Sequence, residues 1–283
     1  MSSRKRPDGS AFLRFLYQTT PGRLLLRPLA SRGFSRLAGR LMDSRLSRPL
    51  IRPFVEKNGI DLSEYLDEPY RCFNDCFCRR IRPENRPVDM RPDILIAPCD
   101  GLLSVYDAEG DTVIPAKQSR YTLRDLLRND ALAARFAGGT ALVFRLCVDN
   151  YHRYAYIDSG IKGENIFLPG LLHTVRPIAL RGRPVFCENC REYTVIETDR
   201  FGPVVQMEVG AMLVGRICNY DGPGPVRRGG EKGMFLYGGS TVIALLEAGR
   251  AEIDSRFWQA TAAGRETPVR LGQAIGRAAA PKG

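Results

Sequence analysis

Two histidines and one serine in an unusual setting are the residues of this chain best suited to chemistry. Histidine is scarce, with only His152 and His173. It is the side chain that titrates near neutral pH, so each is a candidate general acid or base. Ser240 stands in Gly238-Gly239-Ser240-Thr241, inside the apolar run 234–246. Glycine weakens a strand interior and marks a bulge or a close backbone approach. On local sequence alone, a bulge without chemistry is the simpler account. There is no G-x-S-x-G, no Walker A motif and no G-x-G-x-x-G after a strand, so an esterase elbow and nucleotide loops are unsupported. Eight cysteines include the lone pair Cys187-Glu-Asn-Cys190. A structural zinc would need a second pair at matching spacing, so the thiols read as reduced and cytosolic, with no metal.

These residues need a scaffold, and the chain is long enough for one. Its 283 residues are 44% hydrophobic and 26% charged, an ordinary globular composition. Glycine (28) and proline (19) are plentiful, which points to strands with short connections. The net charge of +11 is concentrated at the start, where residues 1–57 hold 13 basic and 3 acidic residues. A basic arm on a near-neutral body suggests a polyanionic partner. Residues 10–57 read as short amphipathic helices broken by Pro21, Pro28, Pro49 and Pro53. Arg32, Arg36 and Arg40 alternate with Phe34, Leu37 and Leu41, a pattern suited to the headgroup boundary of an anionic bilayer. No nucleic-acid fingerprint is present, and nucleic acid is not expected as a partner. No run of 18 apolar residues exists, so no transmembrane helix is expected.

From about residue 90 the pattern turns to β. Residues 93–97 and 102–106 read as paired strands around Pro98-Cys99-Asp100-Gly101. Thr122-Leu-Arg-Asp125 reads as a capping box opening one helix that ends at Gly138-Gly139. Residues 141–148 read as a buried strand, and 172–246 as short β runs between Gly/Pro turns. The expected fold class is α+β, with basic helices first and then a mixed, largely antiparallel β core. The expected units are a helical arm (1–60), a catalytic domain (61–259) and a flexible tail (260–283).

Over residues 14–250 the chain resembles the phosphatidylserine decarboxylase proenzymes, in their shorter bacterial branch. The resemblance rests on Phe73-Asn-Asp-Cys-Phe77 with Arg79, Pro98-Cys-Asp-Gly101 and Asp149-Asn-Tyr-His-Arg153. It continues through Phe201-Gly-Pro-Val-Val-Gln206, Val209-Gly-Ala211, Val214-Gly215, and Lys232-Gly-Met-Phe235 leading to Gly239-Ser-Thr241. Each piece is weak alone; their order and spacing together are specific.

The resemblance implies a self-processing enzyme. Ser240 would attack the Gly239 carbonyl, and elimination and hydrolysis would leave an N-terminal pyruvoyl group on the chain 240–283. That carbonyl would form a Schiff base with the serine amine of the lipid and withdraw electrons as carbon dioxide leaves. Phosphatidylserine would become phosphatidylethanolamine on the cytoplasmic face of the cell membrane, with the protein peripheral. The implied partners are that lipid, an anionic surface and the two cleaved chains; a homodimer is compatible with this. Asp100 matches the family aspartate that orients a base. His152 matches the first His of Tyr-His-Arg-x-His, linked to decarboxylation. The second, linked to self-cleavage, is Ala155 here. His173 is the first choice to replace it and His152 the second. The alternatives are a pyruvoyl decarboxylase of another amino-acid-bearing lipid or amine, and an unprocessed, inactive membrane-binding homologue.

Overall fold

Caps and prolines cut the basic arm into short helices. In a computed structural model, residues 11–108, 114–116, 119–180, 184–211, 216–237 and 240–280 are described, with residues 32, 114–116, 119–121, 177 and 180 by their backbone alone. Helix α1 is Ala11–Gln18 and α2 is Thr20–Leu29. Thr19 Oγ1 caps α2 by accepting from the Gly22 N–H, and Pro21 occupies its first turn, where no N–H is needed. Helix α3, Arg32–Asp43, is capped in the same way by Ser31. Helix α4, Ile51–Asn58, stops at Gly59, whose φ of 61° suits glycine. Leu16, Leu26 and Ala30 form a small core of their own under α1 and α2. A short helix α5, Phe73–Phe77, carries the arm into the body. No helix of the described residues is long and apolar enough to cross a membrane.

The body is built on a sheet that among the described residues has nine strands, all paired antiparallel. Its strands include β1 (Gly101–Asp107), β2 (Thr140–Leu146), β4 (Arg191–Thr198), β5 (Gly202–Val209) and β8 (Ser240–Leu246). Strand β8 lies in the middle, between β5 and β2. All seven of its residues are buried, so it shows no polar alternation: both faces meet apolar layers. Val242, Ala244 and Leu246 join Phe144 and Leu146 in one core, while Ile243 and Leu245 join Val143 and Met207 in the other. A three-stranded sheet in the order β6 (Ile217–Asn219), β7 (Glu231–Phe235), β3 (Arg153–Ala155) contributes Tyr154 and Phe235 to the first core. The fold class is α+β, as the residue pattern predicts.

Three local expectations change. The strand Ile94–Ile96 pairs with Ala274–Ala278, whereas β1 pairs with β2 and with Thr267–Val269, so the two predicted neighbours lie in different sheets. The single helix after Thr122 is two, Leu123–Leu127 and Asp130–Phe136. Arg128 adopts φ 49° between them and Asn129 caps the second, so local capping overrides the continuous apolar pattern. The tail predicted to be flexible carries the end of the helix Ser255–Ala262 and both partner strands just named. Val269 and Ile275 anchor it in the core, which explains why its Ala/Gly/Arg composition does not leave it loose.

Candidate active site

Ser240 is the first residue of β8 and is wholly buried. Side chains alternate along a strand, so Ser240 is in step with Val242 and Ala244 and belongs to the face covered by β3 and β7. Its hydroxyl has no hydrogen-bond partner among the described residues, which for a buried polar group signals a function or an absent partner. The bond expected to break involves Gly239, which, with Gly238, lies outside the described residues. The backbone leading to it is pinned. The Tyr237 N–H donates to Asn74 Oδ1 at 3.0 Å, and Asn74 Nδ2 donates to Asp43 Oδ1 at 2.7 Å. Helix α3 is thus two hydrogen bonds from the residue three positions before Ser240.

His152 directly precedes β3 and is fully buried. Its ring lies 3.9 Å from that of Phe77, which in turn lies 5.4 Å from the Tyr237 ring. The Phe235 N–H donates to the His152 carbonyl at 2.9 Å. Two separate contacts therefore bring His152 to the chain that enters β8. Its Nδ1 is 2.9 Å from the Asn150 carbonyl oxygen. A carbonyl only accepts, so Nδ1 carries the hydrogen and Nε2 is the basic nitrogen of the neutral ring.

His173 approaches from the other side. Its neighbours Val175 and Ala179 belong to the opposite core, the one Ile243 faces. Nδ1 is 3.3 Å from the Tyr17 hydroxyl and Nε2 is 3.5 Å from Glu188 Oε2. Tyr17 Oη also accepts from the Thr174 N–H at 3.1 Å, so its own hydrogen is available to Nδ1 while Nε2–H faces the carboxylate. Asn189 holds the His173 backbone at both N–H and C=O, and also donates to the Gly210 carbonyl at 2.7 Å. Gly210 follows the Val209–Thr241 pair in register and so faces Ser240. His173 is near the strand start, with Nδ1 beside the Tyr17 hydroxyl and Nε2 in a 3.5 Å contact with the Glu188 carboxylate that is not a hydrogen bond.

Asp100 is buried in the turn before β1. Arg86 donates to both of its oxygens, at 2.8 Å to Oδ1 and 2.7 Å to Oδ2, and the Leu271 N–H donates to Oδ1 at 2.9 Å. The Ala155 N–H donates to the Pro98 carbonyl at 2.8 Å, which sets Ala155 beside the turn that carries Asp100. A histidine there would stand next to the aspartate; with alanine, the arginine is the carboxylate's partner.

Sequence reasoning missed a buried polar cluster on the Ser240 face. Lys232 Nζ donates to Glu208 Oε2 at 2.7 Å and to Asn219 Oδ1 at 2.6 Å. Asn219 Nδ2 donates to Glu192 Oε1 at 2.8 Å and to Glu208 Oε2 at 3.2 Å. Lys232 and Glu208 are both 0% exposed. A single acid in the apolar run 204–211 and a single base in the run 232–236 were the available signal. The cysteines are structural in setting: Cys78 Sγ donates to the Phe235 carbonyl at 3.2 Å, and burial pushes its thiol up to about 12.

On the arm, Phe34, Leu37 and Leu41 of α3 are exposed, as are Arg36 and Arg40 beside them; the Arg32 side chain lies outside the described residues. Leu24 and Leu25 of α2 and Leu46 after α3 are exposed as well. That is an unusual density of bare aliphatic side chains for one short stretch of chain.

Comparison with known proteins gives one answer. The phosphatidylserine decarboxylase family pattern matches residues 73–277. The chain is 39% identical to phosphatidylserine decarboxylase proenzyme 2 of Clostridium acetobutylicum, over 93% of this chain and 91% of that protein. It is 39% identical to a phosphatidylserine decarboxylase proenzyme of Clostridium botulinum, over 95% of this chain and 93% of that one. A proenzyme of Clostridium perfringens is 38% identical over the same shares.

Proposed function

Because this chain belongs to the phosphatidylserine decarboxylase family, whose members are carboxy-lyases, we propose that it cuts itself between Gly239 and Ser240 and decarboxylates phosphatidylserine to phosphatidylethanolamine. The observation that carries the self-processing reading is Ser240 itself. It is a buried hydroxyl with no described partner, at the first residue of a central strand, on the face where His152 stands.

In this reading Ser240 Oγ attacks the Gly239 carbonyl carbon and gives its proton to His152 Nε2. The C–N bond then breaks as the ester C–O bond forms, and the amine of residue 240 takes up a proton. The Asn150 carbonyl holds the ring in the tautomer this needs. Asn74 holds the incoming backbone through Tyr237, so the attack starts from a fixed geometry. His152, rather than His173, is assigned the base because the Ser240 side chain shares its face, whereas the His173 ring sits with Tyr17 and Glu188 on the side of the opposite core. Asp100 keeps the Arg86 and Leu271 segments in place around the turn. A pyruvoyl group made from Ser240 fits the site, since it would remain in the chain at the buried start of β8 and needs no separate pocket. That group supplies a carbonyl that condenses with the substrate amine and draws off the electrons left by carbon dioxide. His152 is then placed to return a proton to the carbon.

The test is conversion of vesicles containing phosphatidylserine by the purified protein, with free serine as the rival substrate. Phosphatidylethanolamine should accumulate from the vesicles and free serine should stay intact. A self-cleaved protein that leaves phosphatidylserine unchanged overturns the substrate assignment.

The arm supports a peripheral position on the cytoplasmic face of the cell membrane. Its exposed leucines would enter the headgroup boundary while Arg36 and Arg40 meet anionic lipid. Replacing Leu37 and Leu41 together by glutamate should weaken binding to anionic vesicles by about tenfold or more, since each buried leucine contributes roughly 1.5–3 kcal/mol. Sedimentation with vesicles measures it, and unchanged binding would remove the arm from the interface.

A further inference from the structure

The carboxylate of Glu208 lies on the face of the sheet that Ser240 occupies. In β5 it pairs with Val242, so Ser240 is its diagonal neighbour on β8, at about 7–8 Å between backbones and within reach of a glutamate side chain. The residue directly opposite Ser240 is Gly210, which presents no side chain between the two. Oε2 is taken by Lys232 and Asn219. Oε1 is buried and has no hydrogen-bond partner among the described residues. Lys232 and Lys162 are the buried cations near this carboxylate, and the half-buried Glu192 is joined to it through Asn219.

We propose that Glu208 Oε1 receives the ammonium group of the substrate and takes its proton, leaving the amine able to attack a carbonyl at residue 240. The N–H bond breaks as the O–H bond forms, the nitrogen keeps the electron pair, and Lys232 and Asn219 hold the other oxygen in place. This rests on the reading of the chain as an amine-lipid decarboxylase and deepens it: Glu208 becomes the residue that selects headgroups bearing an amine. Burial raises the Glu208 carboxyl, and Lys232 pulls it partly back, so it is a better proton acceptor than a solvated carboxylate. The titratable groups that face it are Lys232 from β7, Tyr154 from β3, Glu192 from β4, Lys162 from the strand Gly160–Lys162, and Tyr156 and Cys99.

The test uses processed full-length protein, wild type and Glu208→Gln. Binding comes first, after borohydride has reduced the carbonyl so that no turnover occurs. Calorimetry with dihexanoylphosphatidylserine and dihexanoylphosphatidylglycerol should show about tenfold or greater loss in Glu208→Gln for the serine lipid alone. In the active enzyme, kcat/KM should fall by about 100-fold near neutral pH and recover by about tenfold per pH unit, as solvent deprotonates the amine instead. Glu208→Asp keeps the charge beside Lys232 and should restore part of the serine-lipid affinity. Equal losses for both lipids, or wild-type affinity and pH profile in Glu208→Gln, overturn the proposal. So does failure of both variants to fold or self-cleave, which would make Glu208 part of the core. A wild-type protein that self-cleaves but does not turn over phosphatidylserine would instead sink the functional reading beneath it.

Discussion

Replacing Ser240 by alanine should leave a single full-length chain with no detectable decarboxylation. The wild-type protein, under denaturing mass spectrometry, should give a fragment ending at Gly239 and a second starting at a blocked residue 240. The effect is total because one residue serves twice: its Oγ is the nucleophile, which leaves with the Gly239 carboxylate on elimination, and its Cα becomes the reactive carbonyl when water displaces the amine as ammonia. The substitution should cost the fold little. Ser240 is buried, its hydroxyl has no hydrogen-bond partner among the described residues, and alanine removes a group whose desolvation was uncompensated. The variant should therefore be as soluble as the wild type and melt no lower. An Ser240→Ala chain that still cleaves at this bond would end the assignment. A wild-type chain that stays whole, with or without anionic vesicles, would move the inactive membrane-binding reading to the front.

The second large effect concerns the two histidines. His152→Gln should slow self-cleavage by about 10²–10⁴-fold, the range typical of a general base. Glutamine keeps much of the ring's volume and can still donate to the Asn150 carbonyl, so the loss reads on proton transfer more than on packing. His173→Gln should cleave within a few-fold of wild type, because its ring is held by Tyr17 and Glu188 away from the Ser240 face. Fragment appearance over time after synthesis measures both. The reverse ranking, with His173→Gln uncut and His152→Gln cleaving, would return the base to His173. The position of Ala155 sharpens the comparison. Ala155→His restores a ring beside the Asp100 turn and should speed cleavage of the His152→Gln chain if that geometry is sufficient for a base.

How much of this could be read from the chain varies by residue. Ser240 stood out only through the family resemblance, since the local sequence favoured a plain bulge at Gly238-Gly239; what the apolar run after it did announce is a buried strand, and β8 is buried throughout. The arm was legible because Arg and Leu recur at helical spacing, which depends on near neighbours only. What escaped depends on pairs far apart in the chain. Tyr17 meets His173, Asn74 meets Tyr237, and Glu208 meets Lys232, and no local pattern announces any of them. Asp100 shows the limit most plainly. Its place in a Pro-x-Asp-Gly turn was clear, yet its partner is Arg86, fourteen residues upstream. The strand 94–96 was found as a strand and given the wrong neighbour, because its true partner is contributed by the other end of the chain.

The location of the proposed cut would have its own consequence for how a processed protein holds together. Residues 240–280 contribute the centre of the main sheet through β8, a strand beside β1 through Thr267–Val269, and a strand beside Ile94–Ile96 through Ala274–Ala278. Leu245, Phe257 and Ile275 are within 1% of full burial in that shared interior. If the chain is cut there as proposed, it becomes a heterodimer of its own fragments whose interface is a domain interior. Its unfolding turns from a unimolecular to a bimolecular equilibrium, so its stability acquires a dependence on concentration that the precursor lacks. The precursor folds with both pieces tethered, at high effective concentration, and the mature form that has come apart must reassemble without that advantage. Processing would thus make the persistence of the fold depend on how slowly the two fragments part.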